Sequence, residues 1–174
     1  MKKEWPSGKL LEFVVLRAFE LEDASVTYPF SVWDDAVVDN EAKMIQREQL
    51  DGAVYVDSLH TLIECKDYAK TKDPINVDAL AKLKFRLSTR PSNVFGMFFS
   101  TTDYTHPAEL LLPFMRPETI ILWCKDDIEC CLKYECFVEC MRKKYRMAVE
   151  NGEYYHKFHV EKNKEPWITS EPLF

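Results

Sequence analysis

The spacing of apolar residues predicts four helices along the chain. Residues 10–21 carry apolar side chains at positions 11, 14, 15, 18 and 19, which lie on one face of a helix. Residues 75–90 repeat this spacing, and Pro91 ends that helix. A threonine cap and an early proline predict a short helix within 105–115, and an acidic start with a closing glycine predicts a long helix over 126–152.

Other segments have the composition of β-strands. Residues 25–33 are rich in β-branched and aromatic side chains, although Pro29 restricts them to an edge or bulged strand. Residues 94–100 and 118–124 are nearly continuous apolar runs, as expected for strands that are covered on both faces. The acidic residues 34–43 between two of the strands predict a loop.

A further pair of strands is expected near the middle of the chain. Residues 46–57 and 60–66 form an antiparallel pair, joined by Ser58 and Leu59. With the other segments, the order along the chain is α, β, β, β, α, β, α, β, α. This order predicts a mixed α/β sandwich around a central sheet.

The composition is that of a single globular domain. The chain has 174 residues, of which 47% are hydrophobic and 30% charged, and a chain of this length buries roughly 70% of its unfolded surface. No apolar run approaches the roughly 18 residues of a membrane helix, and the start lacks the apolar core of a signal peptide. Five of the six cysteines fall within residues 124–140, which favours reduced thiols. We therefore expect a cytoplasmic protein that does not bind membranes.

Charge is distributed unevenly along the chain. The net charge of −6 and the pI near 5.3 argue against binding nucleic acid by bulk attraction. Residues 66–90, however, hold seven basic and three acidic residues, a net of +4. Within them Lys82, Arg86 and Arg90, here called the basic stripe, recur every four positions and would share one helix face. The stripe is a candidate contact with nucleic acid, and a solvated helix face is the alternative.

Three charged residues interrupt the central strand pair. Side chains alternate along a strand, so Glu64 and Lys66 point to the same face. Asp51 opens the preceding strand, where an antiparallel hairpin can bring it beside Glu64. Two adjacent carboxylates repel each other unless a cation lies between them. With the carbonyl oxygen of Cys65, they would offer hard oxygen ligands that suit Mg²⁺ or Mn²⁺. Lys66 could then orient the attacking water or offset charge on the phosphorus.

This arrangement resembles the PD-(D/E)XK nuclease superfamily. Asp51-Gly52, a strand, and then Glu64-Cys65-Lys66 match its motif, with Leu50 in place of the variable proline. The chain is more specifically similar to Mrr-like restriction endonucleases, in which a first helix carries an inward glutamate, here Glu12. A helix and a strand ending in Ser or Thr then follow the lysine, here VFGMFFSTT. Many Mrr-like proteins have glutamine where this chain has Glu64, so its metal site is better supported.

The resemblance implies a restriction-endonuclease-like three-layer α/β/α sandwich with a central mixed sheet. It covers residues 8–125, a catalytic core within a single domain over 1–174, with a C-terminal helix and tail over 126–174. It implies that Asp51 and Glu64 bind the metal and that Lys66 is the catalytic lysine. Glu12 would bind the metal through water or orient the other groups.

These observations predict a Mg²⁺-dependent DNA endonuclease. The resemblance implies a double-stranded DNA substrate, a role in prokaryotic defence against foreign DNA, and a homodimer or a larger assembly. Two alternatives remain, a catalytically silent interaction module on the same fold and a structure-selective or RNA-directed nuclease. A surface ion pair between Glu64 and Lys66, with Asp51 as a turn residue, would fit the first. Inactive relatives usually lose one of the charges, and none is lost here.

The clustered cysteines permit a second metal hypothesis. Cys136 and Cys140 would share a helix face, with Cys130 or Cys131 nearby. Structural zinc prefers CxxC pairs from loops, however, and no such pair occurs, so we expect buried thiols that pack a helix. The histidines at 156 and 159 also have a spacing that permits metal binding, but we expect them to belong to a solvated tail.

Overall fold

The computed structural model describes residues 8–38, 41–117 and 119–158. The helices are α1 (Lys9–Leu21), α2 (Val77–Ser88), α3 (His106–Leu111), α4 (Lys125–Tyr134) and α5 (Phe137–Asn151), with a 3-10 turn at Leu112–Phe114. The strands are β1 (Ser25–Thr27), β2 (Phe30–Val38), β3 (Glu41–Leu50), β4 (Gly52–Val56), β5 (Leu59–Lys66), β6 (Val94–Ser100) and β7 (Ile120–Trp123). In the described part of the chain, no helix is long and apolar enough to cross a membrane.

The central sheet has five strands in the order β1-β4-β5-β6-β7. Strands β1, β4 and β5 are antiparallel neighbours, whereas β5, β6 and β7 run parallel. Parallel neighbours need a crossover connection. Helix α2 lies within the connection from β5 to β6, and α3 lies within the connection from β6 to β7.

Helices cover both faces of this sheet. On one face, Phe99 of β6 packs against Phe19 of α1, with ring centroids 6.4 Å apart. Gly96 lies on the other face of β6, and a Cβ there would come within 2.9 Å of Leu83 in α2. Glu64 shares the α2 face, because its register partner on β6 lies two residues from Gly96. The mixed α/β fold with a central mixed sheet is therefore confirmed.

The prediction of a loop over residues 34–43 is wrong where the structure describes them. Strands β2 and β3 pair from Phe30↔Leu50 to Val38↔Glu41 and form a separate two-stranded sheet. Most described side chains of β3 are exposed, so the sequence lacks the alternation of a half-buried strand. The ladder of backbone hydrogen bonds forms this hairpin without a matching apolar pattern.

The turn between β4 and β5 differs slightly from its prediction. It consists of Asp57 and Ser58, and Leu59 already belongs to β5. Asp57 has a φ of 53°, a conformation that aspartate tolerates better than most residues. The antiparallel pairing of β4 with β5 is confirmed.

The long helix predicted over 126–152 is two helices. Glu135 ends α4 with a φ of 52°, and α5 begins two residues later. The carboxylate of Glu22, which follows α1, accepts hydrogen bonds of 2.7 and 2.8 Å from the backbone N–H groups of Phe137 and Val138. The first backbone N–H groups of a helix have no acceptor within the helix, and the side chain of Glu22 accepts from two of them here. No glycine or proline marks the break, so local sequence signals could not predict it.

A buried ion pair attaches the segment after α5 to the core. Lys144 and Asp127 have no solvent-exposed side-chain surface, and their charged atoms lie 2.9 Å apart. Lys144 also donates to the carbonyl oxygens of Leu122, at 3.1 Å, and His156. Asp127 accepts from the backbone N–H of Phe158 at 3.1 Å.

The two histidines whose spacing permits metal binding are those at positions 156 and 159. His156 pairs with the neighbouring Glu153, and position 159 lies outside the described residues.

Candidate active site

The ladder between β4 and β5 brings an aspartate next to a glutamate. Gly52 pairs with Ile63, so Asp51 lies next to Glu64 at the end of the ladder. The carboxylate of Asp51 accepts a 2.9 Å hydrogen bond from the backbone N–H of Cys65. Asp51 and Glu64 are both buried. The position of Asp51 is therefore fixed by the backbone of the strand that carries Glu64.

Gly52 permits this close approach of the chain. A Cβ at this residue would lie 2.8 Å from the side chain of Leu16 and 2.9 Å from the carbonyl oxygen of Thr27. Any other residue would therefore push β4 away from α1 and β1. Close packing at Gly52 and the hydrogen bond from the N–H of Cys65 together hold the carboxylate of Asp51 beside β5.

Two cations hold the carboxylate of Glu64. Lys66 lies on the same face of β5, with its ammonium nitrogen 2.5 Å from Oε1 of Glu64. Arg86 of α2 donates to the other oxygen, Oε2. Both oxygens of a buried carboxylate are thus compensated, as burial of a charge requires. The alternation predicted for residues 64 and 66 places these groups together.

Burial and mutual repulsion perturb the ionisation of this cluster. Burial, then the neighbouring charge of Glu64, raises the pKa of Asp51 from 3.8 to about 6. Burial alone would lower the pKa of Lys66, but the charge and hydrogen bond of Glu64 raise it above its ordinary value. Lys66 is therefore an ammonium group at neutral pH. A buried carboxyl group with a raised pKa, such as that of Asp51, beside a charged lysine is a feature of many functional sites.

Glu12 approaches the cluster from α1. It is buried, and both of its oxygens accept from Lys9, at 2.7 and 2.9 Å. Its charge contributes to the raised pKa of Asp51. The structure thus places Glu12 in the electrostatic environment of Asp51, with a lysine partner that the sequence analysis did not identify. The role of Glu12 in metal binding or orientation stays a prediction.

The members of the basic stripe have different environments. Lys82 is exposed, Arg86 binds Glu64, and Arg90 lies 2.9 Å from the buried carboxylate of Glu48 on β3. Helix α2 ends at Ser88, so Arg90 lies beyond its last turn. Sequence reasoning missed both acidic partners. Knowing that α2 covers the Glu64 face would have pointed to Arg86, but nothing local pointed to Glu48.

The donor atoms at this cluster fit a hard divalent cation. Asp51 and Glu64 supply carboxylate oxygens, and Mg²⁺ or Mn²⁺ prefers such ligands. Burial, then the charge of Glu64, raises the pKa of Asp51, and a bound cation would offset both effects. Glu64, however, already binds Lys66 and Arg86. A metal ion would therefore compete with these two cations for the oxygens of Glu64.

Comparison with known proteins finds structures of similar overall fold. AF1548, a protein of unknown function, has a TM-score of 0.46 and 13% identity, covering 66% of this chain and 58% of that chain. The MspJI restriction endonuclease, in complex with a 27-mer oligonucleotide, has a TM-score of 0.42 and 11% identity, covering 87% of this chain and 34% of that chain. The small subunit of the heterodimeric restriction endonuclease R.BspD6I has a TM-score of 0.44 and 16% identity, covering 82% of this chain and 85% of that chain.

These similarities concern the fold alone. The chain spans less than two thirds of the first two proteins, and TM-scores below 0.5 assign neither a family nor an activity. No protein-family model matches the sequence. No curated protein matches it at a significant level. The Mrr-like assignment therefore stays a prediction.

Proposed function

We propose that this chain is a metal-dependent endonuclease that hydrolyses phosphodiester bonds of double-stranded DNA. The observation that carries the proposal is the buried pair Asp51 and Glu64, with Lys66 2.5 Å from Glu64. A buried cluster of this kind costs folding free energy. A catalytic use for the pair explains why the chain keeps it at the end of a strand.

Each group has a role in this proposal. Asp51, Glu64 and the carbonyl oxygen of Cys65 would hold Mg²⁺ or Mn²⁺, and Glu12 would orient Asp51 or bind the ion through water. When bound, such an ion polarises the phosphate and lowers the pKa of water. The ammonium of Lys66 would stabilise the charge that develops on the phosphate oxygens.

A groove beside the cluster offers a path for the DNA backbone. It lies between β3 and α2, and Arg47, Lys82, Phe85 and Arg86 line part of it. Lysine and arginine bind phosphates, and exposed aromatic rings stack on bases. We assign this groove to the substrate. A homodimer or larger assembly in defence against foreign DNA is the biological setting that the family resemblance implies.

A nicking assay tests the proposal. Supercoiled plasmid is incubated with the purified chain and Mg²⁺ or Mn²⁺, and conversion to nicked or linear DNA is followed on a gel. Duplex, junction and RNA oligonucleotides in parallel separate a DNA endonuclease from a structure-selective or RNA-directed enzyme. Cleavage that requires the divalent ion supports the proposal, whereas no cleavage of any substrate contradicts it.

A second candidate function is a catalytically silent binding module. The observation that favours it is the full engagement of Glu64, whose two oxygens bind Lys66 and Arg86. If these partners hold Glu64 permanently, the cluster would bind no metal and would serve only the fold. Metal titration of the wild type and of Arg86→Ala separates the two functions.

Removing Arg86 is expected to strengthen metal binding. In Arg86→Ala the ion no longer competes with a charge-assisted hydrogen bond worth about 1.5–3 kcal/mol, so the affinity for Mn²⁺ should rise about tenfold or more. Isothermal titration calorimetry measures the affinity. Arg90→Ala is the matched control, because Arg90 binds Glu48 instead. No heat of binding in any of the proteins would favour the silent module.

Metal affinity should also depend on pH. Because the pKa of Asp51 is raised to about 6, the ion must displace a proton below that pH, and its affinity should fall about tenfold for each further pH unit. Above the pKa the affinity should level off. Calorimetry across this range checks the prediction, with Asp51→Asn as the control that removes the titrating group. A flat profile in the wild type would contradict a ligand role for Asp51.

A further inference from the structure

Three buried thiols form a compact group away from the carboxylate cluster. Among the described residues, the sulfur atoms of Cys131, Cys136 and Cys140 all lie within 4.8 Å of one another. No other three His, Cys, Asp or Glu side chains in the described part of the chain bring their ligand atoms this close together. The sulfur atoms of Cys131 and Cys140 are 3.1 Å apart. All three residues are buried, and none belongs to the proposed nuclease site.

The break between α4 and α5 creates this group. Cys131 lies in the last turn of α4, whereas Cys136 and Cys140 lie four positions apart at the start of α5, and so face the same way. The left-handed Glu135 turns the chain, and the N–H of Cys136 donates to the carbonyl oxygen of Cys131 at 3.3 Å. A continuous helix over these residues would not bring Cys131 over the other two.

The three sulfur atoms offer the type of ligand that zinc prefers, the thiolate. Cys136 is the N-cap of α5, where the helix dipole stabilises negative charge. Cys131 and Cys140 are fully buried, so a metal ion has to displace their protons when it binds.

We propose that Cys131, Cys136 and Cys140 bind a zinc ion as three thiolates. Zn–S bonds of about 2.3 Å place the sulfurs of a tetrahedral site about 3.8 Å apart, a separation within the span of this group. Binding releases the proton of each thiol to solvent, and a tetrahedral ion keeps one further position. The ion would join α4 to α5 across Glu135 and stabilise the fold. Helix ends supply the ligands here, whereas the sequence analysis expected thiols that only pack a helix, because the chain has no CxxC pair.

Metal content and cobalt absorption test this site in the full chain. The protein is purified under reducing conditions, and its zinc is measured by mass spectrometry. It is then stripped with a chelator and titrated with Co²⁺. We expect zinc in a one-to-one ratio, a cobalt–thiolate charge-transfer band, and a lower melting temperature after chelation. Cys136→Ser should weaken cobalt binding by more than about 10-fold, because even the loss of a residue that only supports a metal ligand costs about 10- to 100-fold.

The variant Cys124→Ser is the control for the cobalt titration, and the wild-type protein is the reference. Cys124→Ser should bind cobalt like the wild type, because Cys124 caps α4 outside the group of three. If Cys136→Ser fails to fold, the absorption of the wild-type protein decides alone. Background zinc without a cobalt–thiolate band would overturn the proposal, as would a mass showing a disulfide between Cys131 and Cys140. The nuclease proposal does not depend on either outcome, because magnesium-dependent cleavage is measured separately.

Discussion

Replacing Lys66 with alanine should lower the rate of DNA cleavage by on the order of 10² to 10³, the cost of deleting one electrostatic donor from an active site. The ammonium lies 2.5 Å from Glu64 at the end of β5, where it can also reach a phosphate held at the cluster. Binding of DNA should change much less than cleavage, because the groove keeps its other cations. Single-turnover cleavage rates and DNA dissociation constants, measured side by side, separate the two effects.

The control for this variant is a lysine on another element. Lys125→Ala removes an exposed lysine of α4 whose ion pair with Glu129, at 3.4 Å, is a surface contact, and surface pairs contribute little to stability. It should cleave like the wild type. Circular dichroism should show that both variants fold. A Lys66→Ala protein that cleaves as fast as Lys125→Ala would remove Lys66 from the mechanism.

The parts of the fold that sequence analysis predicted are those in which one face is buried. Helix α1 and strand β6 show the 3.6-residue period and the continuous apolar run that burial imposes. The part of the β2–β3 hairpin over residues 34–43 was missed because few described side chains of these strands are buried, so the sequence shows no apolar alternation there. The break at Glu135 was missed because its stabilising carboxylate, Glu22, lies more than a hundred residues away along the chain.

The candidate site also has a part that the sequence predicted and a part that it did not. Strand alternation and hairpin pairing, which are local rules, were sufficient to group Asp51, Glu64 and Lys66. The contacts of Arg86 and Arg90 depend on how α2 crosses the sheet, and a helical period cannot show what faces it. The stripe was therefore interpreted as a candidate DNA contact or a solvated helix face, whereas two of its members neutralise buried carboxylates. Their part in DNA binding stays a prediction.

Replacing Lys144 with methionine should lower the free energy of unfolding by about 3–5 kcal/mol, the cost of leaving a buried charge without its partner. Lys144 and Asp127 are both fully buried, and Lys144 also bonds the carbonyl oxygens of Leu122 and His156. The substitution keeps the volume of the side chain but removes every donor. Urea denaturation followed by circular dichroism measures the loss, which should appear as a lower midpoint with a similar slope.

A double variant separates the charge from the packing. Adding Asp127→Asn to Lys144→Met removes the stranded carboxylate, so the double variant should lose less stability than the sum of the two single losses. Asparagine can still accept from the backbone N–H of Phe158, which Asp127 binds at 3.1 Å. The exposed pair of Arg146 and Glu150, 2.7 Å apart, is the control, and its removal should cost less than about 1 kcal/mol. An equally small loss for Lys144→Met would show that the buried pair does not hold the segment after α5 on the core.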